Sequence, residues 1–579
     1  MLPATIVAPR TDPIYNCHQY LTKVPIAAIQ PFIEACTQPG EIVADFFAGS
    51  GMTGLAALTL NRRARLSDIS VLGQHIAHGY LTNLPEATLR EAGVQVVEQA
   101  RTAIGTLYTT KRNSDGHRLQ LVRTVWSFCY RCPKCDLEIV YFEQLDEQGN
   151  PPRTCPSCGA NFARRSWQRS DDMPVRVVVH GADGRQVEQN VSSLDWENIA
   201  AACRDSRLSD VPSLKIEPHR EMYGRSGLAK SGMTETARFF SARNAIALLE
   251  LWTAIKRIKD SEIRQKLSFA FTAILPRASK RYQWSRKRPL NAQNQTYYIA
   301  PVYYEWNVFD LYKRKLSSVI RANDVLFGRQ PMLNGFSLQD VTYHKGSAAR
   351  LSHIQTESID YVFTDPPFGS NIFYSDMNLF QEAWLGRVTD NTSEAVVHTT
   401  GKKKNGAMER YKGLLRDSFK EAYRVLRPGR HMSVVFGNSS GRIWGLVQRA
   451  LRDAGFKPTP VHVAILDKGQ RSIKGLNSGS EGVVILDLVL TVQKPNVGEE
   501  LNAAAFRSVE TGALVHRVIQ NHPTLDEQSP SLLYVEIVRT AIKEGLILDN
   551  FHLGDVLVAL RNAGCSIDQT TGLISCKKG

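Results

Sequence analysis

No stretch of these 579 residues is an uninterrupted apolar run of the ~18 residues that a membrane-spanning helix needs. The sequence therefore predicts no membrane anchor. Its first residues, MLPATIVAPRTDPIYNC, lack a basic start followed by an apolar stretch, so no secretory signal is expected and a cytoplasmic location follows. Cysteine is scarce at 10 residues, and in a reducing compartment these are not expected to form a disulfide framework. Acidic residues are in deficit: 56 Asp and Glu face 71 Lys and Arg, a formal charge of +15. An excess of that size favours a polyanionic partner such as nucleic acid. No internal repeat is present, and the length predicts two to four folding units.

What is there begins at Glu41. A short apolar strand, IVADFF, runs into a glycine-rich turn, AGSGMTG, then a helical stretch, LAALTLNRRA, and a second strand ending at LSDIS. This is the opening of an α/β unit with a parallel sheet. The pattern stops soon after Tyr80 and resumes near Val341, where VTYHKG precedes IDYVFTDPPF. Beyond it follow helix-like LLRDSFKEAYRVL, a turn RPGR, strand HMSVVF, helix IWGLVQRALRDAG and two closing strands, PVHVAIL and GVVILDLVLTV. The expected organisation is a split α/β domain over 1–85 and 336–495, an insertion over 86–335, and a small module over 496–579.

Two motifs carry chemistry. The string Asp45-Phe46-Phe47-Ala48-Gly49-Ser50-Gly51-Met52-Thr53-Gly54 follows a strand, and Asp68 closes the next strand. In doubly wound sheets a ligand lies outside the carboxyl ends of the strands, and an acid on the second strand accepts hydrogen bonds from ribose hydroxyls. Gly49 and Gly51 would let the backbone approach such a ligand. A tight turn with a helix-capping Asp is the plainer account. The second motif is Asp365-Pro366-Pro367-Phe368 after the apolar strand DYVFT. An amino group conjugated into a ring must rehybridise before it can attack a methyl sulfonium. A carboxylate (Asp365) and a backbone carbonyl (Pro366) that accept its two hydrogens favour that geometry. The two prolines fix the loop, and Phe368 offers a ring face for a flipped base.

At these residues the sequence resembles the amino-methyltransferase family of DNA methyltransferases, with its D-x-F-x-G-x-G and [DNS]-P-P-[YFW] loops in the α-group order. The resemblance implies a seven-stranded Rossmann-like methyltransferase sheet and S-adenosyl-L-methionine as methyl donor. It implies cofactor contacts at Asp45, Phe46, Ala48, Gly49, Gly51 and Thr53, the ribose at Asp68, and a flipped base, adenine N6 first, at Asp365 to Phe368. The string His18-Gln19-Tyr20-Leu21-Thr22-Lys23-Val24-Pro25 looks like the family's N-terminal motif, bringing Tyr20 and Lys23 to the cofactor. Many members carry Gly-Asp-Ala after the third strand. This chain has Gly346-Ser347-Ala348, where Ser347 can still accept a hydrogen bond.

Within the insertion, Cys132, Cys135, Cys155 and Cys158 form two C-x2-C pairs, the donor set of a closed structural Zn2+ site, with Cys129 a possible competitor. Arg277, Lys280, Arg281, Arg286, Lys287 and Arg288 fall together with no acid among them, interleaved with Tyr282 and Trp284, and suit the phosphates of double-stranded DNA. A solvated basic loop is the alternative. Lys402 to Lys404 fit a surface loop at least as well. The strings REMYGRSGLAKSGMTETARFFSARN and ILPRASKRYQW resemble insertions of bacterial methylases encoded with restriction and phage-defence systems, which implies a cognate restriction or defence partner. Cytosine N4, an RNA target, a protein-glutamine target, and a catalytically silent DNA-binding specificity subunit stand as alternatives.

Overall fold

The computed structural model describes the chain except for residues 1, 8–11, 165, 182, 287–289, 292–295, 334, 336, 368, 371, 400–403, 438–440, 458–459, 468–486, 500–506, 509–510, 522–524, 526–527, 548–550, 569–571 and 577–579. It divides into two compact units, one of residues 1–81, 325–375 and 389–579, the other of residues 82–324 and 376–388.

The first unit is built on one sheet. Its strands are β1 (Thr5–Val7), β2 (Ile42–Asp45), β3 (Arg63–Asp68), β4 (Val341–Lys345), β5 (Ile359–Thr364), β6 (Leu426–Phe436), β7 (His462–Asp467) and β8 (Asp487–Gln493). They lie in the order β1-β7-β8-β6-β5-β2-β3-β4. All neighbours are parallel except β8, which runs antiparallel to both β6 and β7. The α/β class is as expected, but among the described residues the sheet has eight strands, not seven. The added strand is β1, too short to leave a periodic signal.

All six residues of β5, IDYVFT, are buried, as a strand covered on both faces requires. The RPGR segment does not end a helix in a free turn. It bulges out of β6: Ile359 of β5 faces Leu426, while Tyr361 already faces His431. Helix Ala407–Val425 turns Tyr411, Leu415, Phe419 and Ala422 inward at helical spacing, into the same hydrophobic cluster as Val434 and Val463. Each such fully buried large apolar side chain stabilises the fold by roughly 1.5–3 kcal/mol. Residues beyond 496 join this cluster through Leu514, Val515, Leu533, Tyr534, Ile537 and Phe551. Near the end of the chain a disulfide, Cys565–Cys576, links two short antiparallel strands. It is a single pair, not a framework.

The second unit holds a sheet whose central strands are Met173–His180, Arg118–Ser127 and Val302–Trp306, packed with helices Glu86–Ile104, Ala242–Lys256 and Ser261–Ala278. Every residue of Val302–Trp306 is buried, so this aromatic run is core. Buried Glu305 accepts from Trp126 Nε1 at 2.8 Å and pairs with buried Arg243. A separate three-stranded ribbon is formed by Cys129–Arg131, Glu138–Val140 and Gln168–Arg169. Among the described residues no helix is long and apolar enough to cross a membrane.

Candidate active site and metal centre

The strand order reverses between β2 and β5, and a crevice outside the carboxyl ends of strands at such a reversal is where open α/β sheets take ligands. β2 ends at Asp45 and β5 at Thr364, so both sequence motifs start at this one point. The Asp45 carboxylate is 4% exposed. One oxygen accepts from Thr364 Oγ1 at 2.8 Å and from the Phe47 N–H at 3.1 Å, and the other from Thr53 Oγ1 at 2.7 Å. Burial outweighs these hydrogen bonds and pushes the carboxyl up to about 6. Asp45 thus holds the loop from beneath. Phe46 is buried in the hydrophobic cluster and Ala48 turns the loop, its carbonyl accepting from Gly51 N at 2.7 Å.

Gly49 has φ 47° and Gly51 φ 81°, the left-handed region that side chains disfavour, and Gly51 opens the helix Met52–Thr59. The loop is clamped on both sides. The Gly49 N–H donates to Asp68 Oδ2 at 2.8 Å, and its carbonyl accepts from Tyr343 Oη at 2.7 Å. Asp68 also accepts from Ser70 N at 2.8 Å, yet burial still raises its carboxyl above the usual range. Ser347 follows Gly346, whose N–H donates to the Asp68 carbonyl at 2.9 Å, and Ser347 Oγ accepts from Ala349 N at 3.3 Å. A Cβ on Gly49 would stand 2.7 Å from the Tyr20 ring. The bare glycine therefore has no room for a side chain, and its backbone is left open to close approach by a ligand. Gly49→Val is expected to weaken S-adenosylmethionine binding by roughly tenfold or more, about 1.4 kcal/mol at least, by isothermal titration.

Asp365 is half-buried at the start of the second loop. The Pro367 carbonyl accepts from Tyr411 Oη at 2.8 Å and from Gly369 N at 3.1 Å, which fixes the loop's exit. Phe368 lies outside the described residues. Sequence reasoning missed Tyr374. Its hydroxyl meets Thr22 Oγ1 at 2.8 Å, its ring stacks with Tyr20 at 6.3 Å, and burial, then the nearby Asp365 charge, raise its phenol. The aromatic string NIFYSD after the loop is the only local hint of it. Thr22 has φ 57°, an uncommon conformation for a β-branched residue. Lys23 is buried at 7% exposure, its ammonium donating to the His18 carbonyl at 2.9 Å and to Tyr80 Oη at 3.3 Å. It secures the segment after helix Pro13–Cys17 instead of facing outward.

The ribbon brings Cys132, Cys135, Cys155 and Cys158 together, with all four sulfurs within 4.8 Å of one another. Cys132 and Cys158 Sγ are 3.6 Å apart, and Cys135 and Cys155 Sγ 3.7 Å. Four thiolates at about 2.3 Å from one tetrahedral zinc stand about 3.8 Å apart, so this donor set fits Zn2+. Each pair sits on the same kind of knuckle: Asp136 N donates to the Cys132 carbonyl at 3.0 Å, and Gly159 N to the Cys155 carbonyl at 3.0 Å. Cys129 is not part of the cluster, and burial pushes its thiol up to about 11.

The basic run is not one surface. Arg277 and Arg286 are exposed, and Arg286 packs its aliphatic stem near Gly149. Lys280 is half-buried. Arg281, expected at phosphate, is 4% exposed, donates to the Thr296 carbonyl at 2.9 Å and lies over the rings of Tyr297 and Phe380. Its burial removes it from the set of phosphate contacts. Trp284 packs edge-on against Phe142. Lys287 and Arg288 lie outside the described residues, as do Lys402 and Lys403.

Strand order, glycine loop and acid-proline loop together define an α/β protein whose two motif loops start side by side at the reversal of its sheet. Residues 8–86, which carry the glycine loop and Asp68, match the DNA methylase family. No curated protein matches the chain. Among solved structures, a candidate DNA modification methylase of Thermus thermophilus, complexed with S-adenosyl-L-methionine, is 16% identical over 30% of this chain and 60% of that chain, with a TM-score of 0.17. The selenomethionine form of the same protein is 18% identical over 30% and 61%, with a TM-score of 0.17. The chain thus spans about 60% of the length of that protein, and so low a TM-score adds nothing to the fold described above.

Proposed function

We propose that the chain is an S-adenosyl-L-methionine-dependent DNA methyltransferase acting on the exocyclic N6 of a flipped adenine. The observation that carries this reading is the meeting of the two loops at one point of the sheet, where Asp45 hydrogen-bonds the residue before Asp365 and the helix after the glycine loop. The family match of residues 8–86 supports it. When bound, S-adenosylmethionine supplies an electrophilic methyl group. Gly49, Gly51 and Asp68 would hold it, and Tyr20 would wall the cradle. The Asp365 carboxylate and the Pro366 carbonyl each accept one hydrogen of the target amino group, which releases its lone pair from the ring and favours attack. Phe368 stacks on the extruded base.

The insertion, residues 86–335, with the module after 496, selects the site, because groove reading needs side chains beyond the short loops of a sheet edge. Arg277, Lys280, Arg286, Lys287 and Arg288 serve the backbone phosphates, and Zn2+ on the four cysteines holds the ribbon. The insertion's likeness to methylases encoded with restriction and phage-defence systems makes a cognate protein of that kind the proposed partner, in the cytoplasm. Given methyl-labelled S-adenosylmethionine, the protein is expected to label duplex DNA in preference to RNA, with the label recovered as N6-methyladenine on nucleoside analysis. Recovery as N4-methylcytosine would move the target base. Label in RNA or protein alone, or no label, would overturn the reading.

A further inference from the structure

The ladder between β2 and β5 is short. Val43 faces Tyr361 and Ala44 faces Val362, and no further pair joins these strands among the described residues. Past that point the chain on the β5 side runs through Phe363 and Thr364 to Asp365, while on the β2 side it turns at Asp45 into the glycine loop. Two side-chain bonds carry on where the backbone ladder stops. Thr364 Oγ1 donates to Asp45 Oδ1 at 2.8 Å, and Thr53 Oγ1, in the first turn of the helix that the glycine loop opens, donates to Asp45 Oδ2 at 2.7 Å. Both hydroxyls are buried, Thr364 at 2% and Thr53 at 4% exposure, so water does not replace either bond. Thr364 is held on its other side by β6, opposite Val434. Its position, and with it the start of the acid-proline loop, is therefore set by β6 and by one carboxylate that also holds the cofactor loop.

Resting on the methyltransferase reading, we propose that Asp45 and Thr364 are positioning residues that tie the two loops together, so that the loop holding the cofactor also sets the place of Asp365. Neither touches substrate. The test is a set of three variants, each checked for folding by thermal unfolding, with S-adenosylmethionine affinity measured by calorimetry and turnover on duplex DNA measured at saturating cofactor. Thr364→Val removes the donor at nearly constant volume and is expected to lower kcat by roughly 10- to 100-fold, the size of effect that a misplaced reacting group produces. Cofactor affinity stays within about threefold. Thr364→Ser keeps the hydroxyl and restores kcat. Thr53→Val cuts the other arm and weakens cofactor binding. A folded Thr364→Val protein with wild-type kcat overturns the proposal, as does a Thr364→Ser protein as impaired as Thr364→Val. A wild-type protein that neither binds S-adenosylmethionine nor transfers methyl overturns the methyltransferase reading itself, which is a different result.

Discussion

Asp365→Ala is expected to lower methyl transfer to duplex DNA by roughly 10³-fold or more, the scale set when a group that accepts a proton in the transition state is removed. S-adenosylmethionine affinity should change little. The carboxylate stands just past the end of β5, whereas the proposed cofactor cradle is made by Gly49, Asp68 and Tyr20. Separate measurements of cofactor binding and of turnover resolve the two. Asp365→Asn is the sharper version, because the amide keeps the shape and one acceptor but loses the negative charge that draws the amino hydrogens. Equal loss of binding and turnover in both variants would remove Asp365 from the role of acceptor and make it part of the cofactor site.

Loss of zinc should have the largest effect on folding. Structural zinc in small four-ligand modules contributes an apparent ~10–16 kcal/mol near neutral pH, which is folding free energy for the segment that binds it. The ribbon's three strands are very short, of three, three and two residues. Such strands do not hold a fold by themselves. A strong chelator, or Cys132→Ser, is expected to release the metal to a colorimetric indicator and to open the segment 129–169 to limited proteolysis. Binding of S-adenosylmethionine should persist, since the glycine loop belongs to the other compact unit. A metal-free protein that kept its ribbon resistant to protease would show that the four cysteines are ordinary buried thiols.

How far the sequence could be read depended on the range of the interactions involved. The glycine loop and the acid-proline loop are local strings, and their backbone demands are visible in the residue types, Gly49 and Gly51 with positive φ above all. The roles within them were less visible. Asp45 looks like a ligand contact in a string, but its oxygens are taken up by Thr53, Thr364 and the Phe47 amide, and the Thr364 bond spans 319 positions. Lys23 likewise looks like a cofactor cation and instead binds backbone carbonyls. Tyr374 escaped notice because its partner, Thr22, is 352 positions away. Arg281 was misread for a related reason: a run of charge says nothing about which member will be covered, and here Tyr297 and Phe380 cover it. The clustering of the four cysteines was readable because knuckle spacing is itself the geometry.

The edge strand β1 has a bearing on how the chain is made. Thr5 pairs with Ile465, so the segment that carries β1 leaves the ribosome well before its partner strand and waits for it. At roughly 5–20 residues per second the wait is on the order of half a minute or longer. During it, β2 and β3 can pair with each other but lack β5, while residues 82–324 emerge with a sheet and helices of their own. The apolar edge of β2 is then exposed to any other strand nearby, including that of a neighbouring nascent chain. Synthesis is the period when this protein is most open to aggregation, and growth temperature or chaperone supply should govern its yield more than the stability of the finished fold.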